Sequence, residues 1–173
     1  MSDFNVILND KSVKPKEKTE WLSNWILENR ENTQILLDFA KSSKDPIKAT
    51  CIEAMEFASK NEPAIATKAW FAFAVESLTE KAPRIKWESA KVVGNCAGQF
   101  SKELDQAITN LLANTEHIGT VVRWSAAYAL GQIILLKTKH NETLIPAIES
   151  IILREEKNSI QKIYQKALKK ITK

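Results

Sequence analysis

Four residues at equivalent positions form the most regular chemical pattern in the sequence. Lys48, Lys86, Arg123 and Gln161 follow one another at intervals of 38, 37 and 38 residues. A row of cations at constant spacing suits an acidic partner or a phosphate backbone. The same side chains can instead donate hydrogen bonds to the turns between neighbouring helices. This structural interpretation is favoured, because the charge is lost at the last member, where no further repeat follows.

Groups that could perform catalysis or bind a metal are sparse. The two histidines, His117 and His140, fall in predicted loops without a carboxylate or cysteine at metal-ligand spacing. Cys51 and Cys96 are far apart and fall in predicted helices, which is typical of small buried apolar side chains. No nucleophile elbow or glycine-rich phosphate loop is present. The sequence therefore predicts a protein without catalytic activity, metal or cofactor.

The row of cations lies within a block that recurs along the chain. The segment 85–95 aligns with the segment 122–132, and Trp, Ala and Gly coincide between them. Weaker copies begin at Ile47 and Ile160. A fixed period between about 20 and 50 residues is typical of stacked repeats, in which neighbouring units bury a shared core.

The elements that must carry this pattern are helices. Only 4 Gly and 5 Pro in 173 residues disfavour an all-β fold. Four helix pairs are predicted, followed by a final helix over 159–172 whose apolar stripe faces the stack and whose lysine-rich face caps it. Residues 1–14 lack helical period, and we expect an extended or poorly ordered N-terminal arm. Residues 15–173 are expected to form a single repeat domain.

The repeat resembles a HEAT repeat of the bilin-lyase-like type. The segment 121–133 is similar to the first helix of that unit, and Asp45, Pro46, Ile47 and Lys48 resemble its Asp-Pro-x-Val-Arg start. The resemblance covers residues 33–173 and implies an all-α, right-handed superhelix of helix pairs. It also implies a non-catalytic role in binding proteins or, less often, nucleic acid. Tetratricopeptide repeats have a shorter period, and armadillo repeats need a third helix in each unit.

Each second helix carries a pair of core residues at equivalent repeat positions. The residues just before these pairs and those just after them form two rows, which are the candidate partner-binding surface and which we expect to lie on the concave face. A mixture of apolar and acidic side chains there suits a peptide or protein ridge better than phosphates. Completion of the core is the alternative role for the apolar members. The candidate residues are Ile35, Asp38, Phe73, Glu76, Asn110, Ser150 and Leu153.

Nucleic-acid binding is the alternative function, by analogy with HEAT-like glycosylases that remove alkylated bases from DNA. The net charge of +4 gives it little support, because the excess is concentrated in residues 157–173, which hold six lysines and no acid. Trp87 and Trp124 share one repeat position, which favours packing between repeats over base stacking. A domain that regulates a larger complex is a third possibility.

No signal peptide or membrane span is recognised, so a cytoplasmic protein is expected.

Overall fold

The helices alternate between two layers in a computed structural model, which describes residues 4–172 and the side chains from residue 6 onward. The first helices of the pairs form one layer and the second helices form the other. The first helices are α2 (Pro15–Glu28), α4 (Asp45–Asn61), α6 (Pro83–Cys96), α8 (Thr120–Ile134) and α10 (Asn158–Ile171). The second helices are α3 (Glu31–Ser42), α5 (Lys68–Ser77), α7 (Asp105–Asn114) and α9 (Asn141–Arg154).

This arrangement confirms the predicted all-α solenoid of four helix pairs and a terminal helix. No strand occurs in residues 4–172. The terminal helix α10 packs on α8 through Ile160, Tyr164 and Ala167, which are buried, while its lysines face outward. The amphipathic period of α10 predicted this arrangement, because a terminal helix packs on the preceding repeat with its apolar face and exposes its polar face to solvent.

The N-terminal segment differs from its prediction. Residues 4–9 form a short helix, α1 (Phe4–Asn9), rather than an extended or poorly ordered arm, and residues 1–3 lie outside the described residues. Leu8 is buried against the core, and Lys18 Nζ donates a 2.7 Å hydrogen bond to the Leu8 carbonyl. These contacts to α2 and the core supply the stability that a helix of this length lacks alone.

Neighbouring first helices lie directly against one another because their shared faces carry small side chains. Ala90 on α6 and Ala126 and Ala129 on α8 are buried at this contact. Gly94 is the tightest point, since a Cβ added there would lie 2.8 Å from Tyr128 Cε1 and 3.1 Å from Ala129 Cα. The second helices are further apart and meet one another mainly where α5 faces α7.

Gly94→Ala is therefore expected to lower the free energy of unfolding by about 1–2 kcal/mol, because overpacking outweighs the better helix propensity of alanine. Gly131→Ala is the matched control. Its added Cβ would meet the Ala167 Cβ at 3.4 Å, an ordinary contact, so we expect no loss or a gain of up to about 1 kcal/mol. Urea unfolding of both variants measures the difference, and a Gly94→Ala protein as stable as Gly131→Ala would contradict the close approach.

Candidate functional site

A groove opens on the second-helix layer between α5 and α7. It has a volume of about 450 Å³ and is here named the second-helix groove. Phe71 and Val75 are buried beneath it, whereas Glu76 and Glu103 are exposed beside it. The lining residues are Phe71, Ala72, Val75, Glu76, Thr79, Glu103, Gln106 and Asn110. The groove thus combines apolar surface with two carboxylates.

The local sequence explains why the groove forms at this place. The helix α5 begins only at Lys68, because Pro63–Ile65 forms a 3-10 turn and Thr67 Oγ1 then accepts the Trp70 backbone N–H at 3.2 Å. The resulting α5 has only ten residues, and most of its apolar side chains are buried. Its exposed strip is narrow, so Glu76 becomes the main charged group that α5 contributes to the groove.

Asparagines from α7 bind the C-terminal end of α5. Asn110 Nδ2 donates to the Val75 carbonyl at 3.0 Å, and Asn114 Nδ2 donates to the Leu78 carbonyl at 3.0 Å. The last carbonyls of a helix lack the regular partner within the helix, and these amides add to the Leu78 N–H on the Val75 carbonyl and to Lys86 Nζ on the Leu78 carbonyl. The amide oxygen of Asn110 also accepts a bond from Gln106 Nε2 at 2.8 Å.

Two of the seven predicted partner-binding residues are buried. Phe73 is 7% exposed and belongs to the core, because α5 is apolar on most sides and buries its ring. Asn110 is 9% exposed and is held by the bonds to Val75 and Gln106. Phe73 thus completes the core, which was the alternative role for the apolar members, whereas the placement of Asn110 on an exposed face was wrong. A charge at either position would disrupt folding, and its effect on binding could not be separated from that.

The other five predicted residues are exposed, but they are not gathered in one place. Glu76 lies in the second-helix groove together with the amide of Asn110. Ile35 and Asp38 are on α3, and Ser150 and Leu153 are on α9, outside the lining of the groove. The floor residue Phe71 was missed as a binding residue by sequence reasoning, because it lies outside the two rows that the repeat alignment defined.

The repeated cations contact the turns between helices. Lys48 Nζ lies 3.0 Å from Glu80 Oε1, in the turn of the next repeat. Lys86 Nζ donates to the Leu78 carbonyl and to Asn114 Oδ1, each at 3.0 Å. The lysine ammonium thus joins the turn before its own helix to the C-terminal end of α7.

Arg123 makes the most extensive contacts of this row. Its Nη1 donates to the carbonyls of His117 and Ile118, and its Nε lies 2.9 Å from Glu155 Oε2 in the following turn. Gln161 donates from Nε2 to the Ile152 and Glu155 carbonyls of the preceding turn alone. Each charged member of the row therefore contacts a residue of a later helix end or turn. Gln161, the uncharged member, lies on the last described helix and contacts residues that precede it, as the structural interpretation predicts.

Neither cysteine is a ready nucleophile. Burial raises the pKa of Cys51 to about 12 and the pKa of Cys96 to about 11, so both thiols are protonated at neutral pH.

The two histidines contact different kinds of group. His140 Nδ1 lies 3.7 Å from an exposed Asp105 carboxylate, and His117 Nδ1 accepts the Gly119 backbone N–H at 2.9 Å. Within the described residues, no group of three or more His, Cys, Asp or Glu side chains is arranged to hold a metal ion.

The tryptophans fall into distinct environments. Trp21 and Trp25 stack on α2 with ring centroids 6.3 Å apart, as their spacing predicts. Trp70 is completely buried. Trp124, expected to pack between repeats, is 40% exposed and stacks on Tyr128 of its own helix, with centroids 6.2 Å apart and planes 4° from parallel. Trp124 thus leaves part of its indole in solvent, and its stacking partner lies on its own helix rather than in a neighbouring repeat.

Comparison with known structures supports the fold. No protein-family model and no curated protein sequence matches the chain. A designed armadillo repeat protein in complex with the peptide (KR)4 is similar, with a TM-score of 0.72 and 17% identity over 96% of this chain and 79% of that one. A computationally designed armadillo repeat protein for modular peptide recognition has a TM-score of 0.70, 17% identity and the same coverage. These likenesses show a helical repeat solenoid.

The helices of residues 4–172 were also compared with the length and hydropathy that a membrane span requires. None of the described helices is both long enough and apolar enough to cross a bilayer.

Proposed function

We propose that the chain is a non-catalytic binding module that captures another protein through a basic, extended segment in the second-helix groove. The observation that carries this proposal is the pairing of the apolar floor at Phe71 and Val75 with the carboxylates of Glu76 and Glu103. Apolar surface gives a peptide affinity, and exposed carboxylates attract Lys or Arg side chains, which at Glu103 would compete with the 3.1 Å ion pair to Lys68. The similarity to a designed repeat protein in complex with (KR)4 supports the same class of ligand.

The repeat type and the location are part of this proposal. Each unit contributes two α-helices, which supports a HEAT-type repeat over an armadillo repeat with three helices. A cytoplasmic role as a scaffold is consistent with the candidate surface. The second-helix groove gives no support to nucleic-acid binding, because carboxylates beside it would repel phosphates.

The peptide (KR)4 tests the groove directly. We expect Glu76→Lys combined with Glu103→Lys to weaken binding of labelled (KR)4 at least about tenfold, because two attractive contacts become repulsive. Fluorescence anisotropy at low salt measures the change. The control is Glu28→Lys with Glu149→Lys, which makes the same change in net charge at exposed positions on α2 and α9, outside the groove.

The control decides between a groove and a general charge effect. Weaker binding in the groove variant alone supports the proposal. Equal losses in both pairs of variants, or no binding of (KR)4 by the unaltered protein, would contradict it. Circular dichroism of each variant shows whether the helices are retained, so that a folding defect is not mistaken for lost binding.

A further inference from the structure

The exposed face of the first-helix layer holds two neighbouring clefts on the side of the molecule away from the second-helix groove. The first cleft has a volume of about 280 Å³ and crosses α6 between α4 and α8. The second has a volume of about 250 Å³ and lies between α8 and α10. Tyr128 lines both, so the two form one continuous surface, named here the first-helix cleft.

Equivalent positions of successive repeats line this surface. Lys91, Tyr128 and Lys166 follow one another at intervals of 37 and 38 residues, the same intervals that relate the repeats. They therefore lie in a row that runs across the helices rather than along one of them. Lys60 and Lys170 add further cations at its margins.

The accessible charge of the first-helix cleft is positive, although Glu56 is among its lining residues and Glu88 pairs with the lining residue Lys91. Glu88 is 4% exposed and binds Trp87 Nε1 and Lys91 Nζ, each at 2.7 Å. Glu56 is 6% exposed, its carboxylate lies 3.6 Å from Lys91 Nζ, and burial raises its pKa. In contrast, Lys60, Lys166 and Lys170 are exposed. No acidic residue is among those that line the α8–α10 part of the cleft.

Hydrogen bonds hold the Tyr128 ring beside these lysines, and Trp124 stacks on that ring. The Tyr128 hydroxyl donates to Asn95 Oδ1 at 2.5 Å, and Asn95 Nδ2 donates in turn to the Glu56 carbonyl and to Ser59 Oγ. Trp124 lies parallel to this ring and is 40% exposed. An exposed indole stacked on a hydrogen-bonded tyrosine, beside a row of cations, is a combination that binds unpaired bases and their phosphates.

We propose that the first-helix cleft binds single-stranded nucleic acid, with bases stacked at Trp124 and phosphates contacted by Lys60, Lys166 and Lys170. A single strand is favoured over a duplex because only unpaired bases expose the ring faces that an indole can stack on. The strand would run across the helices along the repeated positions. This surface is separate from the second-helix groove, so the two binding activities are independent.

Anisotropy of a fluorescein-labelled twelve-nucleotide oligothymidylate tests the proposal. We expect Lys166→Glu with Lys170→Glu to weaken binding at least about tenfold and to lower the slope of log affinity against log salt by about 1.4. Trp124→Ala is expected to weaken binding about tenfold with an unchanged salt slope, because it removes stacking alone. Lys81→Glu with Lys102→Glu is the control, since it makes the same charge change at exposed positions outside the cleft.

The combination of results separates nucleic acid from other anionic partners. Losses in both cleft variants with an unaffected control support the proposal. A Trp124→Ala protein that binds normally would indicate a general anionic surface and overturn the assignment to nucleic acid. Equal losses in the control, or equally tight binding of a duplex, would also overturn it. Binding of (KR)4 by the same variants is expected to be unchanged, whatever the outcome for oligothymidylate.

Discussion

Arg123→Ala is expected to lower the free energy of unfolding by about 3 kcal/mol at neutral pH, because it leaves a buried carboxylate without its cation. The side chain of Glu155 is 4% exposed, and that of Arg123 is 17% exposed. The substitution also removes the bonds from Arg123 Nη1 to the carbonyls of His117 and Ile118. The turn before α8 and the turn after α9 thus lose a shared contact. Urea unfolding followed by circular dichroism measures the loss.

The pH dependence of this loss identifies its origin. Burial by itself raises the pKa of Glu155, but hydrogen bonds from Arg123 and from the Lys157 backbone N–H hold that pKa below its ordinary value of 4.5. A carboxyl with a lowered pKa stabilises the fold at higher pH, and this contribution is lost as the pH falls through the folded-state pKa. Without Arg123, burial is expected to raise the Glu155 pKa of the variant, so the difference in stability should be full at neutral pH and should narrow as the pH falls from that raised pKa to the lowered pKa of the wild type.

Arg154→Ala is the control for this experiment. Arg154 also pairs with a glutamate, Glu116, but the two side chains are 40% and 67% exposed. Solvent screens such a pair, so the loss is expected to stay below about 1 kcal/mol. Equal losses for the two arginine variants, or a loss for Arg123→Ala that does not change with pH, would show that the Glu155 ion pair is not the cause.

The repeat pattern predicted the fold and the turn contacts because both follow from residues at equivalent positions. Intervals of 37 and 38 residues placed Lys86 and Arg123 at the start of α6 and α8, where the neighbouring turns are within reach. Boundaries were less predictable where one repeat departs from the others. The late start of α5 depends on Thr67 and the preceding 3-10 turn, and no other repeat contains that turn within the described residues.

The candidate binding surfaces were harder to predict, because sequence position does not reveal exposure at the edges of a helix. Phe73 is apolar and next to a core pair, and only the packing of α5 shows that its ring is buried. Trp124 is the opposite case: its repeated position predicts a core residue, but its side chain is 40% exposed. One sequence signal could have indicated the exposed face of the first helices. Lys91, Tyr128 and Lys166 occupy equivalent repeat positions and are polar, whereas a core position would hold apolar residues.

Trp70→Ala is expected to cause the largest loss of stability of any single tryptophan substitution, about 4 kcal/mol. The side chain is completely buried, and its Nε1 donates a 3.1 Å hydrogen bond to the Thr33 carbonyl at the start of α3. Alanine would leave a cavity between two repeats and remove the hydrogen bond that links α5 to the Thr33 carbonyl. Since typical domains are stable by only about 5–15 kcal/mol, the substitution removes a large share of the total.

Two companion variants separate the cavity from the hydrogen bond. Trp70→Phe keeps most of the apolar volume and loses the Thr33 bond, so its loss is expected to be about half that of Trp70→Ala. Trp124→Ala, at a site that is 40% exposed, is expected to cost about 1 kcal/mol or less. Denaturant unfolding of the three proteins provides the comparison. If Trp124→Ala proved as damaging as Trp70→Ala, its indole would be part of the packing between repeats, and lost oligothymidylate binding could no longer be assigned to stacking.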